Sequence, residues 1–191
     1  KLYELLQSNA QDITKRVSDR KFEEATRLFG QVFYGPVHDF FDQVMVNVGP
    51  GSFTGIRVGV AAAKALGLAW HIDVYGYGCL ALVAAMGRST LPEATAIDVV
   101  MTGGHGEYFF EAFDAHGHSR APVRSILPDD LMNLATANMV AGDIDPQRAD
   151  RQWLELLPNA RHWPLLSAMH PLAATPIYGR APDAKPSALS Q

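Results

Sequence analysis

The sequence predicts an α/β fold, in which strands and helices alternate along the chain and pack in layers. Three observations support this class. Short runs rich in Val, Ile and aromatic residues, such as Val44–Val48, are typical of buried strands. Other segments, such as Phe22–Phe33, repeat apolar residues at the spacing of an amphipathic helix. Glycine-rich turns separate the two kinds of segment, and 48% hydrophobic residues in a chain of 191 are enough to bury a core.

The first forty residues predict a hairpin followed by a helix. Leu2–Leu6 ends one strand, and Ile13–Asp19 is the returning strand after a polar turn. The helix is Phe22–Phe33, whose apolar residues fall on one face.

From residue 44 onward strands and helices alternate, each recognised by the period of its apolar residues. The predicted strands are Val44–Val48, Val74–Tyr77, Thr95–Met101, Tyr108–Phe113, Val123–Ile126 and Met139–Ala141. The predicted helices run from a glycine loop to about Trp70, and then over Cys79–Met86, Asp129–Ala135 and Trp153–Leu157. A loop at Gly87–Ala94 divides the chain into an N-terminal α/β lobe, residues 1–90, and a smaller C-terminal α/β lobe, residues 91–191, with an irregular tail.

Composition and charge argue against several classes of protein. The net charge is -4, so the chain has no overall basic field of the kind that holds a polyanion. Its single cysteine, Cys79, cannot form an internal disulfide. No apolar run reaches the ~18 residues that suggest a membrane span. We therefore expect a cytoplasmic protein that does not contact a membrane.

A glycine-rich loop joins the strand at residues 44–48 to the helix behind it. Backbone N–H groups at a helix N-terminus can hold an anion, so a possible phosphate-facing loop is formed by Gly49, Gly51, Ser52 and Thr54. Either Ser52 or Thr54 can cap the helix. The loop lacks the Gly-Lys-Ser/Thr of a Walker A motif, and its GxGxxxG spacing is not that of a dinucleotide fingerprint. Local physics alone slightly favours a simpler explanation, in which the glycines only permit a tight turn.

The helix after the loop carries small residues at every fourth position: Gly55, Gly59, Ala63 and Gly67. These side chains form one stripe on the helix surface. A glycine inside a helix costs up to ~1 kcal/mol relative to alanine, so Gly59 and Gly67 need a reason. Close approach of a neighbouring helix supplies one, and that helix could belong to this chain's own core or to a partner.

The segment Val48–Gly59, which reads VGPGSFTGIRVG, and the alanine-rich helix after it closely resemble the signature of the TsaB (YeaZ) family. Looser matches follow in the expected order. Val74–Leu80 resembles the family's next strand and helix start, Gly106–Tyr108 its Arg-Gly-Glu-Val-Tyr strand entry, and Pro176–Pro182 its C-terminal Pro-x-Tyr-x-Arg. The resemblance covers roughly Asp42–Pro186.

The chain also departs from that family. Members open with a strand that carries Asp-Thr-Ser, whereas Lys1 lies near the second strand of the same hairpin, so we expect the first strand to be missing. Glu24–Thr26 replaces the family's His-Ser-Glu, and Met101–His105 replaces its Asp-Ala-Arg.

The resemblance implies the actin-like ATPase (ribonuclease H-like) superfold, with two small lobes of mixed sheet and flanking helices. It implies a non-catalytic subunit that organises the transferase TsaD and the ATPase TsaE. Their complex places threonylcarbamoyl on the adenosine next to the anticodon of transfer RNA. The chain is then expected to bind no cofactor, to meet ATP only at the shared complex interface, and to meet transfer RNA only through the complex. By analogy, the residues that face TsaD, or a second copy in a homodimer, are Gly55, Arg57, Gly59, Ala62, Ala63, Leu66 and Gly67.

No catalytic or metal site is expected from the residues themselves. The seven histidines include no pair at i, i+4 spacing and no His-Glu-x-x-His. His105 and the His116–His118 pair fall in turns, where solvent exposure is the expected state. Phe53 occupies the centre of the loop that would otherwise resemble a nucleophile elbow. Two alternatives stay open: an ATPase or amidase-like enzyme of the same superfold that uses the glycine loop, and a self-sufficient homodimer with a peptide-binding or regulatory role.

Overall fold

The computed structural model describes residues 42–93, 96–147, 149–166 and 169–180. The predicted hairpin and first helix fall within residues 1–41 and lie outside the described residues. Of the described residues, 42–44 and 65–73 group into one compact unit and all others into a second. No helix in these ranges is long and apolar enough to cross a membrane. The predicted lobe boundary near residue 90 stays a prediction.

The first sheet contains three strands among the described residues. Their order is β1 (Gln43–Gly49), β2 (Asp73–Gly78) and β8 (Leu172–Ala173), with β8 antiparallel to β2. Helix α1 (Phe53–Trp70) connects β1 to β2 and begins directly after the glycine loop. The predicted order of strand, glycine loop and helix is confirmed.

The second sheet has five strands and is mixed. Their order is β5 (Arg124–Ile126), β4 (Tyr108–Phe113), β3 (Ile97–Thr102), β6 (Met139–Gly142) and β7 (Gln152–Glu155). Strand β4 is antiparallel to β3 and β5, whereas β6 is parallel to β3 and β7. Two sheets with flanking helices are what the sequence predicted for this fold class.

Strand β3 is buried on both faces, which explains its nearly continuous apolar run. On one face Val99 and Met101 pack against helix α2 (Cys79–Thr90). On the other face Val100 packs with Phe110 of β4 in a separate cluster. Side chains of a strand alternate between its two faces, and each face of β3 therefore belongs to a different core.

Helix α2 is longer than predicted. Residues 87–90, which were expected to begin a loop, continue the helix. Gly87 lies inside the helix and is buried, and a Cβ at this position would lie 3.1 Å from the Met139 Cε atom. The glycine therefore permits close packing on the second sheet and does not end the helix. The helix ends at Thr90, just before Leu91 and Pro92.

The predicted helix at Trp153–Leu157 is wrong, because this segment forms strand β7. Trp153 packs in the cluster of Val100, and Leu154 packs in the cluster of Val99. Two consecutive side chains on opposite faces require a strand. A short apolar run does not reveal its period from sequence, since helix and strand both fit it.

Two elements near the C-terminus were not predicted. A third element, earlier in the chain, was predicted as a longer helix. The 3-10 helix Ala160–Leu166 and strand β8 have no clear periodic signal. The helix predicted at residues 129–135 is a 3-10 turn, Pro128–Asp130, followed by the short helix α3 (Leu131–Leu134).

Asp98 is the buried acidic residue of the second sheet, with 0% of its surface exposed. Its Oδ2 atom accepts a hydrogen bond of 2.7 Å from the Ala137 backbone N–H. Within the described part of the chain its Oδ1 atom has no hydrogen-bond partner. Burial raises the pKa of this carboxyl, although hydrogen bonds from the backbone and the charge of Arg151 act in the opposite direction.

We expect Asp98→Asn to change how stability depends on pH. Ionising Asp98 is harder in the folded chain than in the unfolded chain, so its folded pKa lies above its unfolded pKa. The wild-type free energy of unfolding should then fall, relative to Asp98→Asn, as pH rises through the unfolded pKa, and the loss should be complete above the folded pKa. Urea unfolding between about pH 4 and pH 8 measures this difference. Asp129→Asn, at an exposed carboxyl, is the control, and parallel curves for wild type and Asp98→Asn would contradict the prediction.

Candidate functional site

The glycine loop is fixed to the C-terminal segment by backbone contacts. The Val48 carbonyl accepts a hydrogen bond of 2.7 Å from the Ile177 N–H, and the Gly49 N–H donates to Asn47 Oδ1 at 2.8 Å. Gly49 has φ +119°, and a Cβ there would lie 2.3 Å from the Ile177 carbonyl oxygen. Only glycine combines that backbone conformation with so close an approach.

Ser52 caps helix α1. Its Oγ atom accepts a hydrogen bond of 3.3 Å from the Gly55 N–H, and its carbonyl accepts one of 2.9 Å from Ile56. Of the two N-caps that the sequence allowed, the structure therefore uses Ser52 and not Thr54. Residues 51–55 are exposed, which leaves the start of the helix open to solvent.

The C-terminal segment lies against the start of α1. The ring of Tyr178 lies 4.9 Å from the ring of Phe53, measured between centroids, and the Arg57 guanidinium lies 5.1 Å from the Phe53 centroid. The three side chains form a cation–aromatic stack, which we call the Phe53 stack. Phe53 and Tyr178 are 50% and 41% exposed, so the stack also presents an apolar surface to solvent.

The same segment is attached to the second sheet. The Gly179 carbonyl accepts a hydrogen bond of 2.7 Å from the Ser125 N–H. Glu107 Oε2 accepts a hydrogen bond from the Ser125 hydroxyl and lies 4.0 Å from Arg180 Nη1. A Cβ at Gly179 would lie 2.7 Å from the Phe109 ring, so the backbone runs directly over that ring.

Three segments singled out from the sequence therefore meet at one place. They are the glycine loop, the strand entry Gly106–Tyr108, and the C-terminal segment of Tyr178 and Arg180. The Phe53 stack and Ser125 were not predicted. Their contacts join residues that are far apart in the sequence, so no local spacing indicates them.

The small-residue stripe on α1 is divided between exposed and buried positions. Gly55 is exposed and Gly59 is partly buried, whereas Ala63 and Gly67 are buried. Among the residues that the structure describes, no atom lies within 4 Å of a Cβ built at Gly59, apart from its two chain neighbours and the helix's own nearby backbone. Close packing within the described chain therefore does not explain a glycine at position 59.

The rest of α1 buries a narrow face and exposes a wide one. Ile56 and Val60 pack against Val48 of β1. The exposed residues are mostly apolar or small: Val58 is 62% exposed and Leu68 is 78% exposed. Of the residues predicted to face a partner, Arg57, Ala62 and Leu66 are also exposed.

The structure groups no set of three or more His, Cys, Asp or Glu side chains that could hold a metal, within the described residues. His116 and His118 lie in a turn organised by Asp114, whose Oδ1 atom accepts their backbone N–H groups at 2.8 and 2.9 Å. Hydrogen bonding from this backbone lowers the pKa of the Asp114 carboxyl. His105 is an exposed turn residue, as the sequence predicted.

Residues 38–150 match the protein-family model described as TsaD, tRNA N6-adenosine threonylcarbamoyltransferase. The chain is 32% identical over 154 residues to an uncharacterized protein of Mycobacterium tuberculosis, which covers 78% of this chain and 68% of that protein. It is 40% identical over 81 residues to the tRNA N6-adenosine threonylcarbamoyltransferase of Anaeromyxobacter dehalogenans, covering 41% of this chain and 23% of that enzyme.

The fold is similar to a solved structure from Pseudomonas aeruginosa, described as an uncharacterized protein with similarity to peptidase YEAZ. The TM-score is 0.60, the identity is 20%, and the match covers 83% of each chain. The fold is therefore the YeaZ form of the actin-like superfold, as the sequence predicted.

Proposed function

This chain belongs to the TsaD (tRNA N6-adenosine threonylcarbamoyltransferase) family, and from that premise we propose that it serves transfer RNA threonylcarbamoylation as a non-catalytic partner subunit. Its partner is a TsaD-like transferase, joined by a TsaE-like ATPase. ATP reaches the assembly at the shared interface and does not serve this chain as a cofactor.

The observation that carries the proposal is the open space at Gly59. The helix accepts the ~1 kcal/mol penalty of an interior glycine, yet no atom of the described chain occupies the space that the glycine leaves. A helix from another protein packed against this position would account for it, because small residues let two helix backbones approach closely.

The surroundings of Gly59 have the composition of a binding surface. Val58 and Phe53 expose apolar area on the same helix, and Arg57, which lies over the Phe53 ring, adds a charged group. Aromatic residues and arginine are enriched in protein interfaces, whereas scattered single apolar residues are ordinary. A homodimer through the same face is a competing occupant, and the experiments below distinguish it.

The absence of catalysis by this chain is supported by its residue pattern. The metal-binding His-x-x-x-His that the sequence resemblance associates with TsaD has no counterpart, since no two of the seven histidines are four residues apart. The Glu107 carboxylate accepts a hydrogen bond from Ser125 and lies 4.0 Å from the Arg180 guanidinium. That arrangement suits a structural link better than a free general base.

An omission experiment tests the function. Transfer RNA, threonine, bicarbonate and ATP are supplied with the adenylate-forming enzyme and with TsaD-like and TsaE-like proteins, with or without this chain. We expect modified adenosine to fall to background when the chain is omitted, and we expect the isolated chain not to hydrolyse ATP. Full modification without the chain would refute the proposal, and robust ATP turnover by the chain alone would favour the enzyme alternative.

A further inference from the structure

The C-terminal segment, residues 176–180, closes over the glycine loop, and we call it the strap. It contains no helix or strand. One end is bonded to Val48 of β1 through the Ile177 N–H. The other end is bonded to β5, where the Gly179 carbonyl accepts a hydrogen bond from the Ser125 N–H. The strap therefore crosses from the first sheet to the second within a few residues.

The strap covers the first part of the glycine loop. A Cβ built on Gly49 would clash with the Ile177 carbonyl oxygen, and one built on Gly179 would lie 3.4 Å from the Pro50 Cβ. Gly49 and Pro50 are accordingly buried, whereas residues 51–55 are exposed. While the strap is in place, no ligand can reach the Gly49 backbone from this side, because the two backbones already touch.

Few contacts hold the strap, and the side chains that make them are partly exposed. The Tyr178 and Phe53 rings stack while each is about half-exposed, and the Arg180 and Glu107 side chains are partly exposed at a separation of 4.0 Å. Ion pairs that are this open to water contribute little stability. Strands β3 and β4, by contrast, are paired along six consecutive positions. The strap should therefore open at a lower free energy than the sheets.

We propose that the strap opens as one unit while both sheets stay folded, and that its opening uncovers Gly49 and Pro50. Its two hydrogen-bonded residues, Ile177 and Gly179, are separated by a single residue, so displacement of one displaces the other. The glycine loop then has a closed state, in which residues 51–55 alone are accessible, and an open state, in which its whole backbone is accessible.

This inference does not depend on the partner-subunit function, because it concerns the strap and not the space at Gly59. It bears instead on access to the glycine loop. Any ligand that binds the Gly49 backbone from the strap side must compete with the strap. An enzyme that used this loop would therefore require the open state.

Hydrogen exchange of the full chain, resolved by residue with NMR, tests the strap. The reporters are the Ile177 and Ser125 N–H groups, since release of the strap breaks the hydrogen bonds of both. After correction for intrinsic exchange rates, we expect the two protection factors to agree within about threefold. We also expect both to lie at least about 100-fold below those of β3, the central strand of the second sheet.

Two substitutions loosen the strap from opposite ends. Gly179→Ala places a Cβ 2.7 Å from the Phe109 ring, at a φ outside the left-handed region, and Tyr178→Ala removes the stack on Phe53. Each should lower the protection of both reporters about tenfold and leave β3 unchanged. As controls, Tyr178→Phe keeps the ring, and Gly104→Ala adds a methyl group away from the strap. Both controls should change protection less than about twofold.

Three results would overturn the proposal. Reporters as well protected as β3 would mean that the strap opens only when the whole fold unfolds. A response of the Ser125 reporter alone to Gly179→Ala, or of the Ile177 reporter alone to Tyr178→Ala, would mean that the two contacts are independent. Equal losses at the reporters and in β3 would show a global effect. Because the two substitutions act from opposite ends, Tyr178→Ala completes the test if Gly179→Ala does not fold.

Discussion

Replacing Gly142 with alanine is expected to lower the free energy of unfolding by about 4 kcal/mol or more. Gly142 ends strand β6 and has φ +134°, a backbone conformation that side-chain-bearing residues rarely adopt. A Cβ there would lie 1.8 Å from the Val100 carbonyl oxygen and 2.8 Å from the carbonyl carbon. Both atoms belong to the backbone of β3, so rotation of a side chain cannot relieve the clash.

Relief of that clash requires a shift of strand β6 against its neighbour. Val100 and Gly142 are paired in the parallel ladder, and the Gly142 carbonyl accepts a hydrogen bond of 3.0 Å from Leu156. The shift would also disturb Val140, which is fully buried in the core. We expect the melting temperature to fall by roughly 10 °C for a domain of this size.

Urea and thermal unfolding followed by circular dichroism measure the effect. Gly104→Ala is the matched control, because no atom of the described residues beyond its chain neighbours lies within 4 Å of a Cβ at Gly104, and its φ lies outside the left-handed region. The control should change stability by less than about 0.5 kcal/mol. Equal stability of the two variants would show that β6 is not held against β3 as described.

The glycine loop and its helix were predictable because their signals are local. Ser52 precedes Gly55 by three residues, which is the spacing of an N-cap hydrogen bond, and the small residues of α1 recur once per turn. Strand β3 was equally clear, since its apolar run continues through both faces except at Asp98. In each case neighbouring residues alone determine the pattern.

What the sequence could not show depends on contacts between distant segments. Phe53 and Tyr178 stack although they come from opposite ends of the described chain. The Ser125 hydroxyl donates a hydrogen bond to Glu107, a contact that the spacing of the two residues in the sequence does not indicate.

The sequence predicted the small-residue stripe on α1 but not which of its positions are buried, because burial depends on contacts with distant segments. The stripe predicted close packing at four positions but could not say against what. Burial divides them: Ala63 and Gly67 lie inside, whereas Gly55 and Gly59 are accessible. A partner could use the accessible half of the stripe together with the exposed predicted residues Arg57, Ala62 and Leu66.

Gly59→Leu is expected to increase the stability of the isolated chain and to weaken its binding to the partner. A leucine side chain enters space that no described atom occupies, and leucine is a better helix former than glycine. The isolated chain should therefore gain up to about 1 kcal/mol of stability. A TsaD-like partner whose helix packs on this position would meet the new side chain, and we expect its affinity to fall at least 100-fold, or about 3 kcal/mol.

Titration calorimetry with the TsaD-like protein measures the affinity, and light scattering of the chain alone reports any homodimer. Gly59→Ala gives a graded comparison, since it brings most of the helix stabilisation with far less bulk, and its loss of affinity should be smaller. Leu157→Glu is the surface control, because Leu157 is as exposed as Val58, at 62%, and lies outside the helix.

A Gly59→Leu variant that still binds the transferase with wild-type affinity would remove α1 from the interface. A variant that loses only its homodimer would assign the face to a second copy of the chain. If a helix of the transferase packs on Gly59, the Gly59→Leu variant must lose affinity for the transferase while the isolated chain gains stability.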